Sequence, residues 1–233
     1  MGRSPRATIT ASADFSTRAR PGWTELIVAL VAAVVVYGVG LSLIVLFPAS
    51  SPALNGVLQL GFSALAPISV FAIVVVVRLR DVRAFGVRRV DTKWLAVAVG
   101  LAVVCLVLIM TFDAVVATLY PGADDSQGQL RSAAQGGALA LAGTVIFGGL
   151  LTPLGEELLF RGVIARFLQR WGMWVTVLIS ALFFATFHGI NLVWPSAFVV
   201  GLCCGWLLYR TGSIWPGVLL HVIYNTTFLF TYS

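Results

Sequence analysis

The chain has 233 residues, of which 59% are hydrophobic and only 10% charged, and its mean hydropathy is +0.98. Soluble domains are about one quarter charged, so this composition excludes a soluble globular protein. The formal net charge of +6 suggests nucleic-acid binding at first. The basic residues lie beside apolar runs, however, where positive charge sets membrane topology, and no nucleic-acid partner is expected.

Seven apolar runs, separated by short polar segments, predict helices that cross a lipid bilayer. In chain order the predicted spans cover residues 26–47, 57–77, 94–120, 138–154, 174–188, 197–209 and 214–230. The first run is longer than the apolar core of a signal peptide and is interpreted as a retained span. The predicted fold class is all-α, a polytopic transmembrane helix bundle of about seven spans. Residues 1–22, which lack apolar periodicity, are predicted to form a disordered cytoplasmic tail ahead of N-terminal transmembrane helices in 23–135.

The distribution of basic residues predicts the orientation of the bundle in the cell membrane. The loop between the second and third spans contains Arg78, Arg80, Arg83, Arg88, Arg89 and Lys93, whereas the loop after the third contains Asp124 and Asp125. Lys and Arg are retained on the cytoplasmic side, so the N-terminus is predicted to be cytoplasmic. Of the 15 basic residues, Arg131 is then the exception on the outer side.

The segment 156–170 differs from the spans because it mixes charged and apolar residues at helical spacing. It is predicted to be an amphipathic helix. Pro153 and Gly155 precede it and are predicted to break or kink the fourth span, so that the amphipathic helix begins inside the membrane and runs out along the interface.

Two adjacent carboxylates, Glu156 and Glu157, follow the fourth span, where burial of a charge costs about 3 kcal/mol or more unless it is paired. Arg161 is four residues after Glu157 on the same helical face, so these two side chains are predicted to form an ion pair. Glu156 points about 100° away and has no partner nearby in the sequence. An unpaired buried carboxylate is a good general base for water, which gives Glu156 the chemical role and the pair a supporting one.

Both histidines of the chain lie inside or at the end of predicted spans rather than in polar loops. A single buried histidine is more often a core residue than a catalyst, but two of them favour a functional site. His221 and Asn225 are one helical turn apart, and could both donate hydrogen bonds to a developing oxyanion. Phe184 and His188 share a helical face in the same way.

Three strings of the sequence resemble the motifs of the CPBP family, which contains CAAX proteases and bacteriocin-processing enzymes. They are GEELLFRG at 155–162, FATFHG at 184–189 and TGSIWPGVLLHVIYN at 211–225. The family pattern is matched by Glu156, Glu157, Arg161, Phe184, His188, His221 and Asn225. The resemblance covers about residues 138–228 and makes 136–233 the expected catalytic membrane core, in the last four spans.

The resemblance implies a peptidase that cuts a membrane-associated peptide or protein within or beside the bilayer. Glu156 and His188 would activate a water molecule, and His221 and Asn225 would stabilise the tetrahedral intermediate. Zinc could instead be bound by Glu156, His188 and His221, but that would leave Glu157 as the base. Chemistry without a metal is expected, with no required cofactor, and zinc remains the alternative.

Two other functions are compatible with the sequence. A membrane scaffold or bacteriocin-immunity protein of the same fold would keep the motifs and act by binding. A transporter with a proton relay would also place ionisable residues in spans, although no inverted repeat is evident.

The predicted spans do not by themselves assemble the site, because they place its members at different depths. Straight helices would leave Glu156 near the cytoplasmic face, His221 about 10 Å deep and His188 about 20 Å deep. Breaks at Pro153, Gly155, Gly189 and Pro195 are predicted to bring them together around a water-accessible cavity that opens toward the cytoplasm.

Overall fold

The computed structural model describes residues 20–120 and 128–232, which contain eight helices and no β-strand. The helices are α1 (Trp23–Leu46), α2 (Pro52–Leu79), α3 (Thr92–Leu119), α4 (Gly128–Ala134), α5 (Ala138–Trp171), α6 (Val175–Phe187), α7 (Trp194–Thr211) and α8 (Trp215–Tyr232). The all-α fold is confirmed. The predicted tail at 1–22 falls almost entirely outside the described residues, as do Asp124 and Asp125.

Four helices, α1, α2, α3 and α5, are long and apolar enough to cross a membrane. The apolar helix α6 is shorter, with 13 residues between Val175 and Phe187. Each of the seven predicted spans overlaps one helix of the structure, and the bounds differ by at most five residues except at the end of α5, which runs 17 residues beyond its predicted span. Multi-pass membrane insertion follows from the four apolar helices; the number of spans and the cytoplasmic N-terminus remain predictions.

Helix α5 corrects one of the sequence predictions. It runs without interruption from Ala138 to Trp171, so Pro153 and Gly155 do not break it. Directly before Pro153 the helix changes to π-type hydrogen bonds over Val145–Leu151, where the N–H of Thr152 bonds to the carbonyl of Phe147. Pro153 itself has no N–H to donate.

Helix α5 continues well beyond Glu156. At 1.5 Å per residue, Glu156 lies about 27 Å from the first residue of α5 and about 22 Å from the last. The helix therefore continues for about four turns after Glu156, as the predicted amphipathic helix requires. The depth of Glu156 in the bilayer remains a prediction.

The break predicted at Gly189 is present. Helix α6 ends at Phe187, and Gly189 adopts a left-handed conformation with φ of +83° in the turn that leads to α7. Pro195 lies in the first turn of α7, where its missing N–H costs nothing. The turn between α6 and α7 is exposed, and His188, directly before it, turns its ring toward Glu156.

The helices pack around two large apolar clusters and a small one formed by Ala165, Leu208 and Ile214. One joins α1, α2, α5, α6 and α7 through Val70, Phe71, Phe85, Phe160 and Phe184. The other joins α3, α7 and α8 through Ala98, Ala102, Cys105, Leu207 and Leu220. Their junction at α5, α6, α7 and α8 contains the charged residues of the three motifs, and all three cysteines of the chain are free thiols.

Candidate active site

Glu156 lies between the two histidines. His188 Nε2 is 3.6 Å from Glu156 Oε1, and His221 Nε2 is 3.6 Å from Glu156 Oε2. These separations are longer than hydrogen bonds. Each oxygen of one carboxylate thus faces a different imidazole nitrogen, which brings together three residues from α5, α6 and α8.

A contact at Nδ1 of each imidazole fixes the orientation of that ring relative to Glu156. His188 Nδ1 lies 2.9 Å from the carbonyl oxygen of Phe184, and His221 Nδ1 lies 3.2 Å from Glu157 Oε1. A carbonyl oxygen accepts hydrogen bonds and donates none, so the ring of His188 carries a proton on Nδ1. A proton on Nδ1 of His221 is in position to be donated to Glu157 Oε1. With both rings neutral and protonated on Nδ1, both Nε2 lone pairs face the carboxylate of Glu156.

The carboxylate of Glu157 contacts two side chains, Arg161 and His221. Arg161 Nη1 lies 3.0 Å from Glu157 Oε1, and both side chains have no exposed surface. The predicted ion pair is present, although Nη1 lacks hydrogen-bond alignment, and Arg161 Nη2 donates to the carbonyl of Gly201 at 3.2 Å. Glu157 therefore has a structural role: it pairs with Arg161 and orients the imidazole of His221.

Phe184 lies beneath the charged residues. Its ring centroid is 4.4 Å from the guanidinium carbon of Arg161, and 4.7 Å and 5.5 Å from the rings of His188 and His221. Phe184 is only 1% exposed. A cation over an aromatic face is stabilised electrostatically, and the same ring supports both imidazoles from below. The ring of Phe184 thus forms the apolar base of the site.

Asn225 has a contact that the sequence did not predict. Its Nδ2 donates to the carbonyl of Gly148 at 3.1 Å. In α5 the N–H of Thr152 bonds to Phe147 instead of Gly148, and Pro153 has no N–H, so neither neighbouring main-chain donor serves the carbonyl of Gly148. Asn225 supplies the missing donor from α8 and thereby fixes this helix against α5.

Two glycines allow the close approach that the site requires. A Cβ atom on Gly155 would lie 2.8 Å from the carbonyl oxygen of Ala64 in α2, and one on Gly217 would lie 2.7 Å from Glu157 Oε2. Gly155 therefore marks close helix packing rather than a break. Gly217 was missed by the sequence reasoning, although its place in the third motif, four residues before His221, could have drawn attention to it.

Several buried polar atoms around the site lack a hydrogen-bond partner. In the described residues these atoms are Thr152 Oγ1, Glu156 Oε2, Glu157 Oε2, Arg161 Nε and Arg161 Nη1. Buried polar atoms are nearly always satisfied, and clustered exceptions are typical of functional sites or of sites that hold water. The side chain of Glu156 is 8% exposed and that of His188 26%, so the site reaches the surface of the bundle beside His188.

A metal site was the alternative reading of Glu156, His188 and His221. No group of three or more His, Cys, Asp or Glu side chains in the described part of the chain has the arrangement of a metal site. Each histidine Nε2 nevertheless lies 3.6 Å from an oxygen of Glu156, only slightly more than the roughly 3.3 Å expected for two ligands of a tetrahedral zinc ion. The donor types suit zinc, but Glu157 is then poorly placed as the base, because it is fully buried against Arg161.

Comparisons with known proteins bear on the segment that contains this site. Residues 138–227 match the family model described as type II CAAX prenyl endopeptidase, Rce1-like. The family resemblance predicted from the motifs is confirmed. The Rce1-like segment contains all seven residues of the three motifs and covers α5 to most of α8.

A second comparison gives one relative and little further information. An uncharacterised 24.3 kDa protein of Escherichia coli is 35% identical over 79 residues, which are 31% of this chain and 36% of that protein. The match thus spans about a third of the relative. No solved structure matches the chain. Helices α1 to α3 lie outside the Rce1-like segment, so the similarity concerns the C-terminal part of the chain.

Proposed function

We propose that the protein is an intramembrane endopeptidase that hydrolyses a peptide bond in a membrane-associated protein or peptide. The observation that carries this proposal is the placement of Glu156 between two Nε2 atoms, each 3.6 Å from a different carboxylate oxygen. A carboxylate held beside two imidazoles in an apolar interior is suited to proton transfer. The Rce1-like family of the surrounding segment supports the same reaction class.

In the proposed reaction, Glu156 takes a proton from a water molecule while the water oxygen attacks the scissile carbonyl carbon. The Nε2 atom of His188 accepts a hydrogen bond from this water and helps to orient it. A carbon–oxygen bond forms, and the carbonyl oxygen becomes an oxyanion. Protonated Glu156 then gives its proton to the amide nitrogen, the carbon–nitrogen bond breaks, and an amine and a carboxylic acid leave.

The oxyanion is assigned to the α8 side of the site. When His221 is protonated on both nitrogens, Nδ1 donates to Glu157 and Nε2 donates to the oxyanion. The amide nitrogen of Asn225 has two hydrogens, of which one bonds to Gly148 and the other is assigned to the oxyanion. Glu157 and Arg161 keep His221 in position and take no direct part.

The proposed reaction requires no metal. If zinc occupied Glu156, His188 and His221, the remaining carboxylate would be Glu157, which is held by Arg161 and His221 and has no exposed surface. A base must exchange protons with a water molecule that can reach it. Glu156 meets this requirement better than Glu157, which supports chemistry by the glutamate itself.

The experiment compares membrane and secreted peptides from cells that carry the wild type, Glu156→Gln or Glu156→Asp. Glu156→Gln keeps the shape of the side chain and removes the base, so the rate of cleavage should fall by about 10²–10⁴. A fragment produced only by the wild type identifies the substrate. If Glu156→Gln folds normally and retains the full cellular phenotype, the protein acts by binding, as a scaffold or immunity protein would.

A further inference from the structure

A second concave site lies at the basic end of the bundle, apart from the seven residues that match the family pattern. Its volume is about 1120 Å³, which exceeds the usual ~300–1,000 Å³ of sites for small molecules. The turn after α2, the start of α3, the end of α7 and the start of α8 form its walls. Its lining includes Arg83, Arg88, Arg89, Lys93, Arg210, Asp81 and Asp91. None of the seven matched residues lines it, whereas Thr211 and Trp215 at the start of the third string do.

The acidic side chains in this pocket are already engaged. Asp81 accepts a hydrogen bond from the backbone N–H of Arg83 at 2.9 Å, and Asp91 accepts one from the N–H of Lys93 at 3.0 Å. The bond from the Lys93 N–H lowers the pKa of Asp91, so this residue stays ionised and pairs with the Lys93 ammonium at 3.2 Å. Both carboxylates thus cap helical turns and offset only part of the positive charge.

The cations divide into those that build the pocket and those that face into it. Arg88 donates to the carbonyls of Thr211 and Gly212 at 2.8 Å each, which ties the turn after α2 to the end of α7. Arg210 lies over Trp94 and Trp206. Arg83 and Arg89 form no ion pair with any residue that the structure describes, and both are exposed.

The position of the pocket relative to the bilayer indicates which class of anion it binds. It lies where α3, an apolar helix of 28 residues, begins, and Trp94 and Trp215 line it. Apolar spans begin at the level of the lipid headgroups, and tryptophan is enriched there. Basic pockets between helices at this level bind the headgroups of anionic lipids. A soluble anion would not need a pocket at this level.

We infer that this pocket binds the phosphate headgroup of an anionic phospholipid, with Arg83 and Arg89 as its principal contacts. The lipid bridges the turn after α2, the end of α7 and the start of α8. These elements are otherwise joined here by Arg88 and by the hydrogen bond from the N–H of Ile214 to the carbonyl of Gly86. Because α8 also carries His221, an occupied pocket stabilises the helix that completes the candidate active site.

The test measures lipid binding by the purified full chain in detergent, using native mass spectrometry. Phosphatidylglycerol and phosphatidylcholine with identical acyl chains are titrated against the wild type, Arg89→Gln, Arg83→Gln/Arg89→Gln and Arg80→Gln. Arg80 is the matched control, because it is an exposed arginine of the same turn that does not line the pocket. Circular dichroism and gel filtration establish that each variant is folded.

The wild type should bind phosphatidylglycerol at least tenfold more tightly than phosphatidylcholine. Each pocket arginine removed should weaken this binding about fivefold, and Arg80→Gln should leave it within twofold of wild type. Equal losses in Arg89→Gln and Arg80→Gln would overturn the inference in favour of a general basic surface, as would equal affinity for both lipids. Displacement of the lipid by millimolar inorganic phosphate would assign the pocket to a soluble phosphate instead. If the double variant does not fold, Arg89→Gln alone decides.

Discussion

His221 and Glu157 are 64 residues apart in the chain and in contact across the bundle, where Nδ1 of the imidazole lies 3.2 Å from Oε1 of the carboxylate. The carboxylate is held in turn by Arg161, so α5 sets both the position and the tautomer of a histidine on α8. Glu157, the second glutamate of the first motif, therefore orients His221 of the third motif.

The variant Glu157→Gln should destabilise the protein by about 3–5 kcal/mol, because it leaves the guanidinium of Arg161 buried without a counter-charge. Unfolding in mixed detergent micelles, followed by circular dichroism, measures this loss. The double variant Glu157→Gln/Arg161→Met removes both charges and should recover much of the stability. Equal stability of the single and double variants would contradict the assigned pairing.

Gly217→Ala should reduce cleavage about 10–100-fold, because the new Cβ would lie 2.7 Å from Glu157 Oε2 and displace the carboxylate that orients His221. The control is Gly100→Ala in α3, where the added Cβ meets no atom within 4 Å. Both are glycine-to-alanine changes within helices. Similar activity in the two variants would show that Glu157 tolerates displacement.

Phe184→Ala should cost about 3–5 kcal/mol and abolish cleavage, since it removes the ring that supports Arg161 and both histidines. Its neighbour Phe183 is 56% exposed on the outer face of α6. Phe183→Ala should therefore change stability by less than about 1 kcal/mol and leave the cleavage rate unchanged. Thermal unfolding and the peptide assay on the same samples separate the two effects.

Asn225→Ala should lower stability by about 1–3 kcal/mol, because the carbonyl of Gly148 loses its donor. Activity should fall as well, since α8 is no longer held at this point. Thr227→Val is the control on the same helix, because the hydroxyl of Thr227 bonds only to the carbonyl of Ile223 within α8. If Asn225→Ala keeps wild-type stability but loses activity, the oxyanion role of Asn225 outweighs the contact with Gly148.

Incubation with a strong chelator should leave the cleavage rate unchanged, and purified active protein should contain less than stoichiometric zinc. This outcome follows from assigning the base to Glu156 rather than to a metal-bound water. Elemental analysis of the protein before and after chelation gives the metal content directly. Loss of activity that zinc alone restores would reverse the assignment and make Glu156, His188 and His221 ligands.

Helix positions could be predicted from the sequence because long apolar runs have few alternative structures in a membrane. The pairing of Glu157 with Arg161 was equally predictable, since a spacing of four residues fixes their relative direction. Both predictions depend on local geometry alone.

The assembly of the site could not be predicted from local geometry. Pro153 suggested a break, yet α5 continues through π-type bonding over Val145–Leu151, and the carbonyl of Gly148 in this segment accepts a hydrogen bond from Asn225, more than 70 residues away. The contacts of Glu156 with the two histidines likewise depend on how far α5 continues and where α6 ends. These are properties of packing between helices, which the spacing of residues along one helix does not reveal.

The position of His221 in the chain determines when the candidate site is completed during synthesis. The candidate site takes Glu156 from α5, His188 from the tip of α6 and His221 from α8, which is the last of the eight described helices. A nascent chain that has inserted everything up to α7 therefore carries a carboxylate and one imidazole but not the second. In the proposed reaction, hydrolysis therefore cannot begin until α8 has docked.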